Sequence, residues 1–162
     1  DGLADSMDAL GGGYTVARRL EIMKDSRIGT YGAVALVVAL GLKAVLLMDA
    51  EPVWLALLVT PAIGRLTPLL LMGFLPYVTD PDTSKSKPVA EAFSVQRLLL
   101  ATLFTVVVAL LFSVWLPALL AVGVVALLWG ASLKRQLGGY TGDALGASVV
   151  FTELVFLLGL TL

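Results

Sequence analysis

Asp1, Asp5 and Asp8 stand at i, i+4 and i+7. On a helix this spacing puts three carboxylates on one face. Like charges this close repel and weaken the helix, so a positive partner is expected. For a set made only of oxygen ligands the usual partner is Mg²⁺ or Mn²⁺. The plainer reading is a solvated acidic helix end, because Asp is favoured near a helix N-terminus. The chain has no His and no Cys. That removes imidazole bases, thiolate ligands and cysteine nucleophiles, and leaves acid–base or metal chemistry to carboxylates.

Two further stretches carry groups of chemical interest. Lys24-Asp25-Ser26-Arg27-Ile28-Gly29-Thr30-Tyr31-Gly32 offers one more carboxylate, two cations, hydroxyls and two glycines just before a long apolar run. Backbone amides and cations at a helix start suit a phosphate; the alternative is a membrane-entry loop built of ordinary turn residues. Lys134–Asp143 precedes another apolar run. Gly138 and Gly139 can end one helix, and Thr141 or Asp143 can cap the next. Asp143 is otherwise a metal or hydroxyl contact on the same side as Asp1–Asp8.

The elements that position these groups follow from the apolar residues. Of 162 residues, 59% are hydrophobic and 14% charged, and the mean hydropathy is +0.96. That is more apolar surface than one small core buries, and a bilayer is the natural place for it. Eleven basic and twelve acidic residues give a net charge of −1, which argues against a nucleic-acid partner. The apolar runs predict an all-α, polytopic membrane bundle with about five transmembrane helices, at 31–49, 53–76, 98–116, 117–134 and 144–162. The run 98–133 is uncharged and too long for one span. Trp115-Leu116-Pro117 reads as a hairpin, with Pro117 in the first turn of the next helix. Strand-type alternation is absent.

Residues 1–30 read as a cytoplasmic Asp-rich segment followed by an interfacial helix over Thr15–Lys24, with Val16, Leu20 and Met23 as its apolar stripe. Arg18 and Arg19 either meet lipid phosphates or follow the orientation rule. Residues 31–162 form the bundle, and 79–87 is a linker-like loop. Lys and Arg fall in segment 1–30, in loop 77–97 and in loop 134–143, and are absent from the turns at 49–52 and 115–117. This alternation predicts that the basic connections are cytoplasmic. Three charges lie within spans: Lys43, Arg65 and Glu153. Such charges are costly and seek partners, so Glu153 is expected to pair with Lys43 or Arg65. Arg65 lies between Pro61 and Pro68, where a kink is expected and could aim it into a cavity.

The stretches Asp1-Gly2-Leu3-Ala4-Asp5-Ser6-Met7-Asp8, Glu21–Gly32 and Gly138-Gly139-Tyr140-Thr141-Gly142-Asp143-Ala144-Leu145-Gly146-Ala147 resemble cobalamin synthases, the adenosylcobinamide-GDP ribazoletransferases. The resemblance runs along the whole chain and includes Lys43, Arg65 and Glu153. The family's proteins begin with further membrane sequence, so the chain reads as the C-terminal two-thirds of such a protein. Ala9 stands where the family commonly has Gly, and loop 77–97 lacks the expected Gly-rich stretch.

The resemblance implies a multi-pass enzyme of the cytoplasmic membrane with its site facing the cytoplasm. It would join adenosylcobinamide-GDP to α-ribazole or its 5′-phosphate and release GMP, with Mg²⁺ as the metal. Membrane lipid is the surrounding partner, and an oligomer is compatible with the reading. Asp1, Asp5, Asp8 and Asp25 are then the expected catalytic and metal-holding residues. Lys24, Ser26, Arg27, Arg65, Thr141 and Asp143 are the expected substrate contacts. Two rivals differ in class. A CDP-alcohol-type membrane phosphotransferase also uses an Asp cluster, but its signature carries an Arg that is absent after Asp1-Gly2. A transporter subunit would line a path across the membrane with polar groups, whereas here they gather on one face.

Overall fold

The computed structural model describes residues 1–78, 94–111 and 116–161. The linker-like stretch 79–87 and the hairpin residue Trp115 lie outside them. Glycines and a threonine punctuate the first helices. α1 (Gly2–Gly12) ends as Gly13 N–H donates to Ala9 O at 2.9 Å. α2 (Val16–Lys24) is capped by Thr15, whose hydroxyl accepts from Arg18 N–H at 3.3 Å. Of its expected apolar stripe, Met23 is buried, Leu20 packs at the core edge, and Val16 is exposed.

The apolar runs form α3 (Thr30–Asp49), α4 (Val53–Gly64), α5 (Leu66–Phe74), α6 (Val95–Leu111), α7 (Leu116–Leu137) and α8 (Gly142–Thr161). Among the described residues four stretches are long and apolar enough to cross a membrane: α3, α4 with α5, α7 and α8. The fifth expected span, 98–116, corresponds to α6, a shorter apolar helix. No strand forms among the described residues; Tyr77 and Tyr140 make an isolated bridge. The chain is an all-α bundle of the multi-pass membrane class.

The expected break between Pro61 and Pro68 falls at Arg65, which separates α4 from α5. Proline there removes helix-bonding donors, and Arg65 Nη1 donates to Pro61 O at 2.9 Å. Pro117 lies in the first turn of α7, as its missing N–H permits.

α8 is the central helix. It packs on α1, α3, α4, α5 and α7 and buries Ala144, Leu145, Ala147, Ser148, Thr152, Glu153, Phe156 and Leu157. Small residues let neighbours come close, as membrane helices require. Gly159 lies so near Ala118 of α7 that a Cβ there would sit 2.6 Å from the Ala118 Cβ. Thr152 and Thr67 share a buried hydroxyl hydrogen bond of 2.8 Å between α8 and α5. By contrast α3 leaves Val37, Val38, Leu40, Val45 and Met48 exposed. An apolar surface of this extent is one that lipid covers.

Candidate active site

The polar groups collect where α1 meets the N-termini of α3 and α8. α1 packs on both, and Asp8 makes the first joint. Its Oδ2 accepts from Gly29 N–H at 2.7 Å and its Oδ1 from Gly32 N–H at 2.8 Å. These amides belong to the N-cap and the third residue of α3, orphan donors at the positive end of the helix dipole. Asp8 is buried and caps α3 from another helix. Both glycines are necessary, because a Cβ at Gly29 or Gly32 would run into the Asp8 carboxylate. The helix start that the sequence offered to a phosphate is therefore occupied by a carboxylate of the chain itself.

The second joint is α1 with α8. Gly2 lies against the backbone of Asp143, where a Cβ would sit 2.5 Å from Asp143 O. Thr141 caps α8, its hydroxyl accepting from Ala144 N–H at 3.1 Å. Thr141 thus takes the N-cap position, and the Asp143 carboxylate meets its own backbone N–H in the first turn of α8. Thr141 is buried, and its hydroxyl points at Met23 Sδ at 3.6 Å, which ties α2 to the same loop. The Trp129 indole N–H donates to Ala144 O at 3.0 Å and fixes α7 beside the first turn of α8.

The loop before α8 is held from the other side as well. Tyr140 N–H donates to Pro76 O at 2.9 Å, Val78 N–H donates to Tyr140 O at 3.1 Å, and the Tyr77 and Tyr140 rings lie 5.4 Å apart. Gly138, at φ +82°, supplies the left-handed residue that ends α7. Gly139 passes so close to Pro76 O that no side chain fits.

Asp5 lies between these joints, partly buried, without a hydrogen bond or ion pair to the described residues. Burial raises its pKa, the nearby Asp143 carboxylate raises it further, the α-ammonium of Asp1 pulls it partly back, and Asp8 adds to the push. A carboxyl whose folded pKa lies above its unfolded value stabilises the fold at low pH, and that contribution is lost as pH rises through the folded pKa. At neutral pH the ionised Asp5 is a burden. Asp5→Asn is expected to raise the thermal midpoint at pH 7 by the equivalent of a few tenths of a kcal/mol, the size of one like-charge pair. The gain should vanish near pH 3. Thermal melts of both proteins across pH check this; an equal gain at both pH values would mean that charge is not its cause.

The remaining expected residues fall into place as follows. Asp1 is exposed at the N-cap position of α1. Asp25 is gripped by Arg27, with Nη2 to Oδ2 at 2.6 Å and Nε to Oδ1 at 3.0 Å. The Arg27 guanidinium holds the Asp25 carboxyl down at about 2, so it is ionised and a poor proton acceptor at neutral pH. Lys24 and Ser26 are exposed beside this pair. Arg65 is exposed at the α4–α5 break, where its Nη1 donates to Pro61 O, and among the described residues it forms no ion pair with an aspartate. The expected partner of Glu153 is Lys43, at 2.6 Å. Among the described residues no group of three or more carboxylates is gathered tightly enough to hold one metal ion.

Sequence reasoning missed Ser6 and the two tyrosines. Ser6 is fully buried in α1 with its hydroxyl unpartnered. Its position between Asp5 and Asp8 was the only signal. Tyr77 and Tyr140 are far apart in sequence, and nothing in their spacing foretells their meeting.

A family model described as cobalamin-5-phosphate synthase matches residues 1–161. The adenosylcobinamide-GDP ribazoletransferase of Shewanella woodyi is 45% identical over 177 residues, covering 100% of this chain and 67% of that protein. The enzyme of the same name from Shewanella halifaxensis is 46% identical over 162 residues, covering 95% and 62%. That from Vibrio parahaemolyticus is 44% identical over 166 residues, covering 99% and 62%. The chain thus spans a little under two thirds of the length of most of these curated relatives. No solved structure matches it. On the family match, with relatives aligned along nearly its whole length, the chain belongs to the cobalamin-5-phosphate synthase family.

Proposed function

We propose that the chain carries the phosphoryl-transfer site of an Mg²⁺-dependent adenosylcobinamide-GDP ribazoletransferase, on the cytoplasmic face of the inner membrane. The observation that carries the reading is Asp5 near Asp143, two carboxylates brought to one end of the bundle where Gly2 of α1 lies against the Asp143 backbone of α8. Both lie partly out of water, and the α-ammonium of Asp1 only partly offsets the charge gathered there. A hard divalent cation fits such an oxygen-only pair. Asp1, at the same end of α1, would have to swing in to join them, since among the described residues no three carboxylates are gathered for one ion as they stand. Asp8, with both oxygens on the amides of α3, serves as the anchor of α1.

Mg²⁺ bound there supplies charge neutralisation and alignment of the pyrophosphate. The residues do the rest. A ribose hydroxyl of α-ribazole, or of its 5′-phosphate, attacks the phosphorus bound to the cobinamide. A new P–O bond forms, the pyrophosphate P–O bond breaks, and GMP leaves with the bond's electron pair. A carboxylate of the group that stays off the ion takes the hydroxyl proton. Asp25 is too acidic for that task. Its role is to hold the Arg27 fork in place, with Lys24 and Ser26 beside it, for phosphate oxygens. Thr141 acts by fixing the start of α8, and Asp143 with it.

The test is GMP release by the purified protein in liposomes, given adenosylcobinamide-GDP, α-ribazole and Mg²⁺. A chain extended upstream to the length of its relatives is run beside it. Release that EDTA stops, with cobalamin formed, supports the reading. No release from either folded protein overturns it. Release from the longer chain alone assigns part of the site to upstream helices.

A further inference from the structure

A second polar constellation lies away from the aspartates, between α2 and the C-terminal turns of α7. A cavity of about 510 Å³ opens there, lined by Arg19, Leu128, Ala131, Ser132, Arg135 and Gln136. The five residues from α7 stand at i, i+3, i+4, i+7 and i+8, so they form one stripe along that helix. The stripe is graded. Leu128 and Ala131 are apolar, Ser132 is a hydroxyl, and Arg135 is a cation at the helix end.

The cavity is rich in unspent donors. Arg19 Nη1 donates to Gln136 O at 2.8 Å, which fixes the guanidinium against the last turn of α7. Its Nε is buried without a partner. Gln136 Nε2 donates to Ser132 Oγ at 2.8 Å, which leaves the Ser132 hydrogen free to donate. No acidic residue lines the cavity, and among the described residues neither Arg19 nor Arg135 has an ion-pair partner. Arg18, next in sequence, is by contrast paired with Glu21 at 2.7 Å.

Two uncompensated guanidiniums and a free hydroxyl define an anion site, and phosphate is the anion that arginine forks grip best. The apolar lower wall selects the form of that phosphate. It continues down a helix that crosses the membrane, so the bound molecule has an apolar tail below a charged head. We propose that this cavity holds the phosphate of an anionic glycerophospholipid, with its acyl chains along Leu128 and Ala131. The site docks α2 to the bilayer and to α7 together, and it is independent of the reaction proposed above. It also gives Arg19 a role distinct from that of Arg18.

The test is native mass spectrometry of the full chain released from detergent and titrated with phosphatidylglycerol, with diacylglycerol as the phosphate-free comparison. Phosphatidylglycerol should be retained and diacylglycerol should not. Arg135→Gln and Arg19→Gln should each lower retention about tenfold, the worth of one charge-assisted hydrogen bond. Arg18→Gln should leave it unchanged. Because Arg19 also closes the end of α7, the exposed Arg135 carries the test if Arg19→Gln unfolds. Equal retention of phosphatidylglycerol by Arg135→Gln and the unaltered protein would overturn the proposal, as would equal retention of diacylglycerol. So would inorganic phosphate raising the thermal midpoint through both arginines while phosphatidylglycerol does not, an outcome that assigns the cavity to a soluble anion.

Discussion

Asp8→Ala is expected to destabilise the protein by about 3–5 kcal/mol, the sum of two hydrogen bonds to a charged acceptor. The variant strips the cap from α3 and leaves the buried Gly32 N–H without its acceptor. It also removes the joint that holds α1, and with it Asp5, in place. Asp8→Asn should recover little. One amide N–H would still find the carbonyl oxygen, but the other would face the NH₂ group, donor against donor. Gly32→Ala attacks the same joint from the other side, since its Cβ would meet the Asp8 carboxylate and Ala4 O. Thermal unfolding in one detergent compares the three. A loss under 1 kcal/mol for Asp8→Ala would mean that water replaces the carboxylate and that the joint is not structural.

This joint marks where sequence reading stops. The spacing of Asp5 and Asp8 placed both on one helix, because a helix repeat is local, and Asp1 stands at that helix's N-cap. Gly29 and Gly32 were legible as a place where something anionic comes close. Which anion was not legible, because Asp8 reaches them only through the packing of α1 on α3. The same limit holds for Arg65. Its position between two prolines foretold the break in the span, but its bond to Pro61 O depends on how that break is shaped. The transmembrane spans were the most readable part, since lipid imposes length and apolarity on every residue of a span. The Asp5–Asp143 pair was the least readable. It arises where two distant helices meet, through a glycine whose lack of a side chain allows the approach.

The Lys43–Glu153 pair yields the second large effect, and its size depends on which partner is removed. Glu153 is buried, with its side chain 10% exposed, and Lys43 is 36% exposed. The Glu153 side chain lies against Gly64, where a Cβ would sit 2.8 Å from its Cγ. Lys43→Met therefore strands a buried charge and is expected to cost about 3–5 kcal/mol. Glu153→Gln leaves a lysine whose long stem can carry its charge outward, and about 1–2 kcal/mol is expected. Lys43→Met combined with Glu153→Leu should return to within about 1 kcal/mol of the original protein, because the pair's desolvation penalty goes with its attraction. Unfolding of these four proteins and of Glu153→Leu alone, in one detergent, closes the double-mutant cycle. The pair joins α3, whose N-terminus holds Asp8, to α8, whose N-terminus carries Asp143. At 1.5 Å per residue it lies about 15–20 Å along both helices from those ends. If the pair serves only to fix these helices, the double variant keeps the proposed GMP release while Lys43→Met loses it. Release lost in a stable double variant would mean that the charges themselves act on the site.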